Sequence, residues 1–109
     1  MEIINLLENW QFNPKGAHAE PLHVDKDGRA ILFTLEAGQS IREHNSPSSP
    51  LYIVILKGKG SFSGGDGVEQ TVGPNMLLVF DPAENHVIRA LDELVFVGFL
   101  HGVSGAWAN

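Results

Sequence analysis

The chain has 109 residues, 43% of them apolar, and a formal charge of −6 from seven Lys+Arg against thirteen Asp+Glu. That length is one domain with one core, and so few basic residues, with no cluster or stripe among them, argue against a nucleic-acid surface. There is no cysteine, which excludes disulfides and thiolate metal sites and leaves the redox compartment unreadable.

In chain order, Ile3, Leu6, Leu7 and Trp10 fall at helical spacing with Asn5, Glu8 and Asn9 opposite. The spacing predicts a short amphipathic helix over residues 1–14, an arm packed on a larger unit and ended by Pro14. The opening "MEIINLLENW" lacks a basic stretch and a small-residue cleavage site, so a signal peptide is not expected. No apolar run approaches the ~20 residues needed to cross a bilayer. A soluble, cytoplasmic protein without membrane contact is the expectation.

Residues 15–109 form the second unit and are punctuated like an all-β domain, with twelve glycines and six prolines in the whole chain. "EPLHVDKDGRAILFTLEAG" reads as two strands joined at Asp25–Gly28. "LYIVILKGKG" reads as a buried strand ending in a glycine turn. "KGSFSGGDGVEQTVG" is a hairpin turning at Gly64–Gly67. "NMLLVFDP" is an apolar strand stopped by Asp81-Pro82, and "HVIRALDELVFVGFLHG" a final hairpin turning near Leu91–Glu93. Short strands at such spacing predict a sandwich or barrel.

In the last hairpin, Arg89 facing solvent places His86, Ile88 and Ala90 inward. The expected register sets Phe99 opposite His86 and makes His101 its diagonal neighbour. Both alternating phases of "ELVFVGFL" are apolar, more than one interior requires. The extra face predicts burial against a second subunit, hence a homodimer.

The stretch from Gly38 carries a more specific pattern. "GQSIREHNSPSSPLYIVILKG" resembles the first cupin motif, G-x5-H-x-H-x(3,4)-E-x6-G, with Gly38, His44 and Gly58 at matching positions. "NMLLVFDPAENHVIRA" resembles the second, G-x5-P-x-G-x2-H-x3-N, more loosely. His86 stands at the histidine, Asp81-Pro82 near the proline and Glu84 near the second glycine, while Asn75 replaces the first glycine and Ala90 the asparagine. The resemblance spans Ala30 to about His101 and implies a small single-domain cupin, an all-β jelly-roll barrel of the RmlC-like kind.

In metal-binding cupins the ligands are both histidines and the glutamate of motif one and the histidine of motif two. By that resemblance His44 and His86 are kept, but Ser46 stands for the second histidine and Leu51 for the glutamate. Serine is a poor transition-metal ligand and leucine none. The resemblance thus implies a pocket of His44, Ser46, Leu51 and His86 at the barrel interior. Its first reading is a metal-free site for a small polar molecule. The second is a dioxygenase- or isomerase-type enzyme with a divalent metal (Zn, Fe, Ni or Mn) on His44, His86 and an unconventional ligand, His101 or Glu84. The third is a sensor or regulatory barrel working through a partner, since the chain carries no helix-turn-helix.

The remaining candidates read as ordinary. Arg42 binds an anion only if it points inward, and is otherwise a surface residue. His18 and His23 sit at polar strand ends. Trp10 and Trp107 suit either an interface or the packing of terminal segments. "SGGDG" has no following helix or lysine and is a turn rather than a phosphate loop.

Overall fold

A computed structural model describes residues 1–43 and 49–101. The first expected hairpin is His18–Val24 (β1) and Gly28–Leu35 (β2). Its turn is an Asx turn, in which the Asp25 carboxylate accepts the N–H of Asp27 at 2.7 Å and of Gly28 at 3.0 Å. Ser40–Glu43 (β3) is too short to mark in the sequence. Leu51–Lys57 (β4) alternates buried and half-buried residues as a strand with one face on the core should.

Gly60–Ser63 (β5) and Glu69–Val72 (β6) make the second hairpin, closed by Gly67 N–H on the Gly64 carbonyl at 3.0 Å. Leu77–Phe80 (β7), His86–Ala90 (β8) and Leu94–His101 (β9) complete the chain. The strands form two antiparallel sheets, β1-β2-β9-β4-β7 and β3-β8-β5-β6, packed as a jelly-roll barrel. Between them lies one continuous core that includes Phe33, Leu35, Ile53, Ile55, Phe62, Ile88 and Phe96. Phe96 is its hub, stacked on Phe33 at 4.9 Å and edge-on to Phe62 at 5.9 Å.

The structure corrects two expectations. No helix forms in residues 1–14. A short isolated helix is marginal in water, and here the asparagines compete with it. The Asn5 side chain accepts the Leu7 N–H at 2.9 Å, and Asn9 adopts a left-handed φ of 61°. The apolar residues are used differently: Leu6 and Trp10, with Phe12, lie as an irregular arm on Leu32, Val95 and Val97, the outer face of the five-stranded sheet, while Ile3 and Leu7 stay exposed.

The second correction is that β8 and β9 are not a hairpin. They lie in different sheets, β8 between β3 and β5, β9 between β2 and β4. Residues 91–93 turn a corner between the sheets, held by the Lys59 carbonyl, which accepts the N–H of Leu91 at 2.9 Å and of Asp92 at 3.3 Å. Strands facing each other across a core show the same alternation as strands side by side, so the pattern alone could not separate the two. Phe99 therefore pairs with Ala30 and Tyr52, and His101 with Gly28, rather than with His86.

Candidate functional site

Alternation on β8 places His86, Ile88 and Ala90 inward and Arg89 outward, as expected. His86 is 3% exposed, lies against the Phe80 ring at 4.9 Å, and pairs through its backbone with Glu43 at the end of β3. Leu51, at the start of β4, is buried and pairs with Phe80. His86 and Leu51 line one inner cavity with Phe33, Ile41, Ile53, Ile88 and Phe96. That cavity measures about 10 Å³, room for about one water molecule. His44 and Ser46 lie outside the described residues. Glu43, which ends β3, pairs with His86 at the start of β8, so the His86 end of the cavity lies where these two strands end and begin.

The two other candidate ligands serve elsewhere. Glu84 spans two loops: its carboxylate accepts the Gly65 N–H at 2.7 Å and the Asp81 N–H at 2.8 Å. It thereby pins the β5–β6 turn to the β7–β8 connection, and both of its oxygens hold backbone amides. His101 is in the other sheet, exposed, with its ring stacked on Tyr52 at 5.9 Å and its N–H donated to Ser49 Oγ at 2.9 Å. Among the described residues no three His, Asp or Glu side chains gather into a metal-holding group. Of the candidates described, only His86 is placed to ligate inside the barrel, so these residues do not by themselves fit a metal centre.

Arg42 pairs with Val87 and faces away from the interior, because its neighbour Ile41 packs on the core. With Ser40, Ser63, Glu69 and Arg89 it lines a groove of about 440 Å³ on the outside of the small sheet. There the Ser61 hydroxyl donates to Glu69 at 2.7 Å and Arg89 approaches it at 3.6 Å. These contacts, the hydroxyl first, hold the Glu69 carboxyl below its ordinary pKa. A smaller cleft of about 190 Å³ borders His86 at the strand end, lined by Arg42, Ser63, Gly64, Gly67, Asn85 and Val87. Sequence reasoning passed over Asn85 and Ser63, because single polar residues beside turns carry no spacing signal.

Residues 31–98 match the family model described as Cupin domain. The chain is a cupin. Among solved structures, an RmlC-like cupin protein from Desulfovibrio desulfuricans is 26% identical, with a TM-score of 0.84 over 93% of this chain and 96% of that one. A conserved protein with a double-stranded β-helix domain from Klebsiella pneumoniae is 14% identical, with a TM-score of 0.87 over 97% and 94%. The cupin domain of an XRE-family transcriptional regulator from Enterobacter cloacae is 17% identical, with a TM-score of 0.71 over 81% and 98%. No curated protein matches the chain. At these identities the last two show the shared fold.

The cupin motifs also explain the backbone. Gly38 and Gly58, the opening and closing glycines of motif one, have φ of 91° and 82°, and a Cβ on Gly58 would run into the Glu93 carbonyl. Motif two places its glycines at positions 75 and 83, where this cupin has Asn75 and Ala83 at φ of 71° and 63°, in the left-handed region that favours glycine. The second glycine position is thus Ala83, one residue before Glu84. Among the described residues no helix is long and apolar enough to cross a membrane.

Proposed function

We propose that this cupin binds a small polar molecule at the mouth of its barrel, with a single small group reaching His86 and Leu51. One observation carries the reading: a buried imidazole faces a lining that is otherwise aliphatic and aromatic. Buried polar side chains are uncommon in such a lining, and an apolar pocket with one or two polar groups is the usual make-up of a small-molecule site. The size of the inner cavity supports a site at the mouth, since the interior admits about one water. Leu51, standing where the cupin motif has a glutamate, favours an uncharged contact over coordination.

The test follows the His86 ring by NMR during titration with a panel of small carboxylates and sugars. At least one compound should move the ring signals. His86→Phe keeps a ring against Phe80 and removes the polar contact, so affinity should fall about tenfold or more, the weight of one good hydrogen bond. A panel that leaves the ring unmoved overturns the proposal. Elemental analysis of protein purified without chelator or histidine tag is the companion measurement. A stoichiometric transition metal that His86→Phe abolishes would replace this reading with the metal-dependent one.

A further inference from the structure

The outer face of the small sheet concentrates positive charge in a chain that has little of it. Only seven residues are Lys or Arg and three of them Arg, against thirteen Asp+Glu, yet Arg42 and Arg89 line one groove of about 440 Å³. The register explains how they meet. Arg42 pairs with Val87 and Ser40 with Arg89, so the two arginines share the outer face as diagonal neighbours, within reach of each other's long side chains. Like charges so placed repel, and the groove holds one acid, Glu69, to offset two cations. The Glu69 carboxylate takes the Ser61 hydroxyl at 2.7 Å and meets Arg89 at 3.6 Å, longer than the ~2.9 Å limit of a charge-assisted hydrogen bond. Among the described residues Arg42 makes no ion pair. One positive charge is therefore left over in the groove, on side chains whose hydrogen-bond donors are largely unspent.

We propose that this groove binds a small phosphorylated molecule, its phosphate held between Arg42 and Arg89, at a site separate from the one at the barrel mouth. Each guanidinium is a planar fork of N–H donors that fits one edge of an oxyanion. A carboxylate has a single such edge and suits one fork. A tetrahedral phosphate has edges for both, and its charge of about −1.5 to −2 near neutral pH answers the arginine pair. The Ser40 and Ser63 hydroxyls lie in the same groove and add neutral donors. Arg42 and Ser63 also line the smaller cleft that borders His86, so the groove runs on to the strand ends and has room for the rest of the molecule. Glu69 opposes the anion from the same face, which sets the sign of its effect: it weakens binding.

Titration of the full chain with inorganic phosphate at low ionic strength, followed by amide NMR, gives the test. The amides of Arg42, Val87 and Arg89 should shift and saturate with dissociation at or below about 1 mM, while that of Arg29 on the other sheet stays fixed. Acetate should bind more weakly, and added chloride should weaken both. Arg42→Gln and Arg89→Gln should each lower phosphate affinity about tenfold, the loss of one charge-assisted hydrogen bond. Arg42→Lys keeps the charge but not the fork and should also lose affinity. Glu69→Gln should raise it. His86→Phe should leave it unchanged, so failure here and failure of the mouth site are told apart. Shifts that do not saturate, or that move Arg29 equally, overturn the proposal. So does affinity that both glutamine variants retain, or that His86→Phe abolishes.

Discussion

The two faces of the five-stranded sheet are built from equally apolar residues and are buried in different ways. Leu94, Phe96 and Leu100 of β9 face the small sheet and join a core closed on all sides. Val95 and Val97 face the other way and rely on Leu6, Trp10 and Phe12 of the arm. The inner face is sealed by strands locked into registered ladders. The Val95–Val97 part of the outer face is covered by a segment that forms no strand, held by side-chain packing and scattered contacts such as the Thr34 Oγ1–H donated to the Gln11 carbonyl at 2.5 Å. Apolar residues in both phases of a strand thus demand two covers, and the two covers need not be of equal strength.

The largest expected effect tests the inner cover. Phe96→Ala removes a ring that is 1% exposed and in contact with both Phe33 and Phe62. A buried Phe→Ala costs about 3–5 kcal/mol through lost transfer energy and the cavity left behind. Denaturant unfolding should show that loss with an unchanged m-value. A cost under about 1 kcal/mol would mean the core had closed around the gap and that Phe96 is no hub. The outer cover should be weaker. Trp10→Ala removes a half-buried indole that also carries Lys57 Nζ over its ring at 5.6 Å, and about 2 kcal/mol is expected for its smaller buried area. Dye binding to newly exposed apolar surface should rise with it. If Trp10→Ala cost as much as Phe96→Ala, the distinction between the two covers would not stand.

Much of this arrangement was legible in the sequence because it rests on period-two alternation and turn chemistry. The inward set His86, Ile88 and Ala90, the hairpin turns at 25–28 and 64–67, and the all-β class follow from those signals, while the cupin barrel follows from the resemblance to the two cupin motifs. Three things did not. Helical spacing in residues 3–10 singles out Leu6 and Trp10, which pack on the sheet, but also Ile3 and Leu7, which are exposed, and Asn5 and Asn9 decide the backbone. The corner at residues 91–93 was invisible because facing strands and neighbouring strands share one pattern, and this error carried His101 to the wrong sheet. Glu84 was weighed as a ligand, yet its partners are backbone amides, one of them nineteen residues away in sequence, which no side-chain pattern announces. The second subunit was inferred from both phases of β9, and the arm accounts for the Val95 and Val97 part of that excess.

The smallest expected effect sharpens the outer cover further, at the end where the arm begins. His23 on β1 sits between two carboxylates, Asp25 Oδ2 at 2.8 Å from Nε2 and Glu2 Oε1 at 3.0 Å from Nδ1. Its hydrogen bond to Asp25, and then that to Glu2, raise its pKa above the ordinary 6.5. The same bond, with the amide of Asp27, lowers the pKa of Asp25 below its ordinary 3.8. A raised histidine stabilises the fold below its unfolded pKa, near 6.5, and the contribution vanishes as pH rises through the folded value. A lowered aspartate stabilises above its unfolded pKa and loses the contribution as pH falls through the folded one. The tether from Glu2 across His23 to Asp25 is therefore strongest between those limits and releases first on the alkaline side. All three groups are solvent-exposed, so the gain is small and salt-sensitive. The His23 ring should titrate above 6.5, with Asp25→Asn lowering that value more than Glu2→Gln. Melting of wild type against His23→Gln should differ most between about pH 5 and 6 and converge as pH rises through the folded His23 value above 6.5. A difference independent of pH would show that the arm's first residues are held by packing alone, as its middle is.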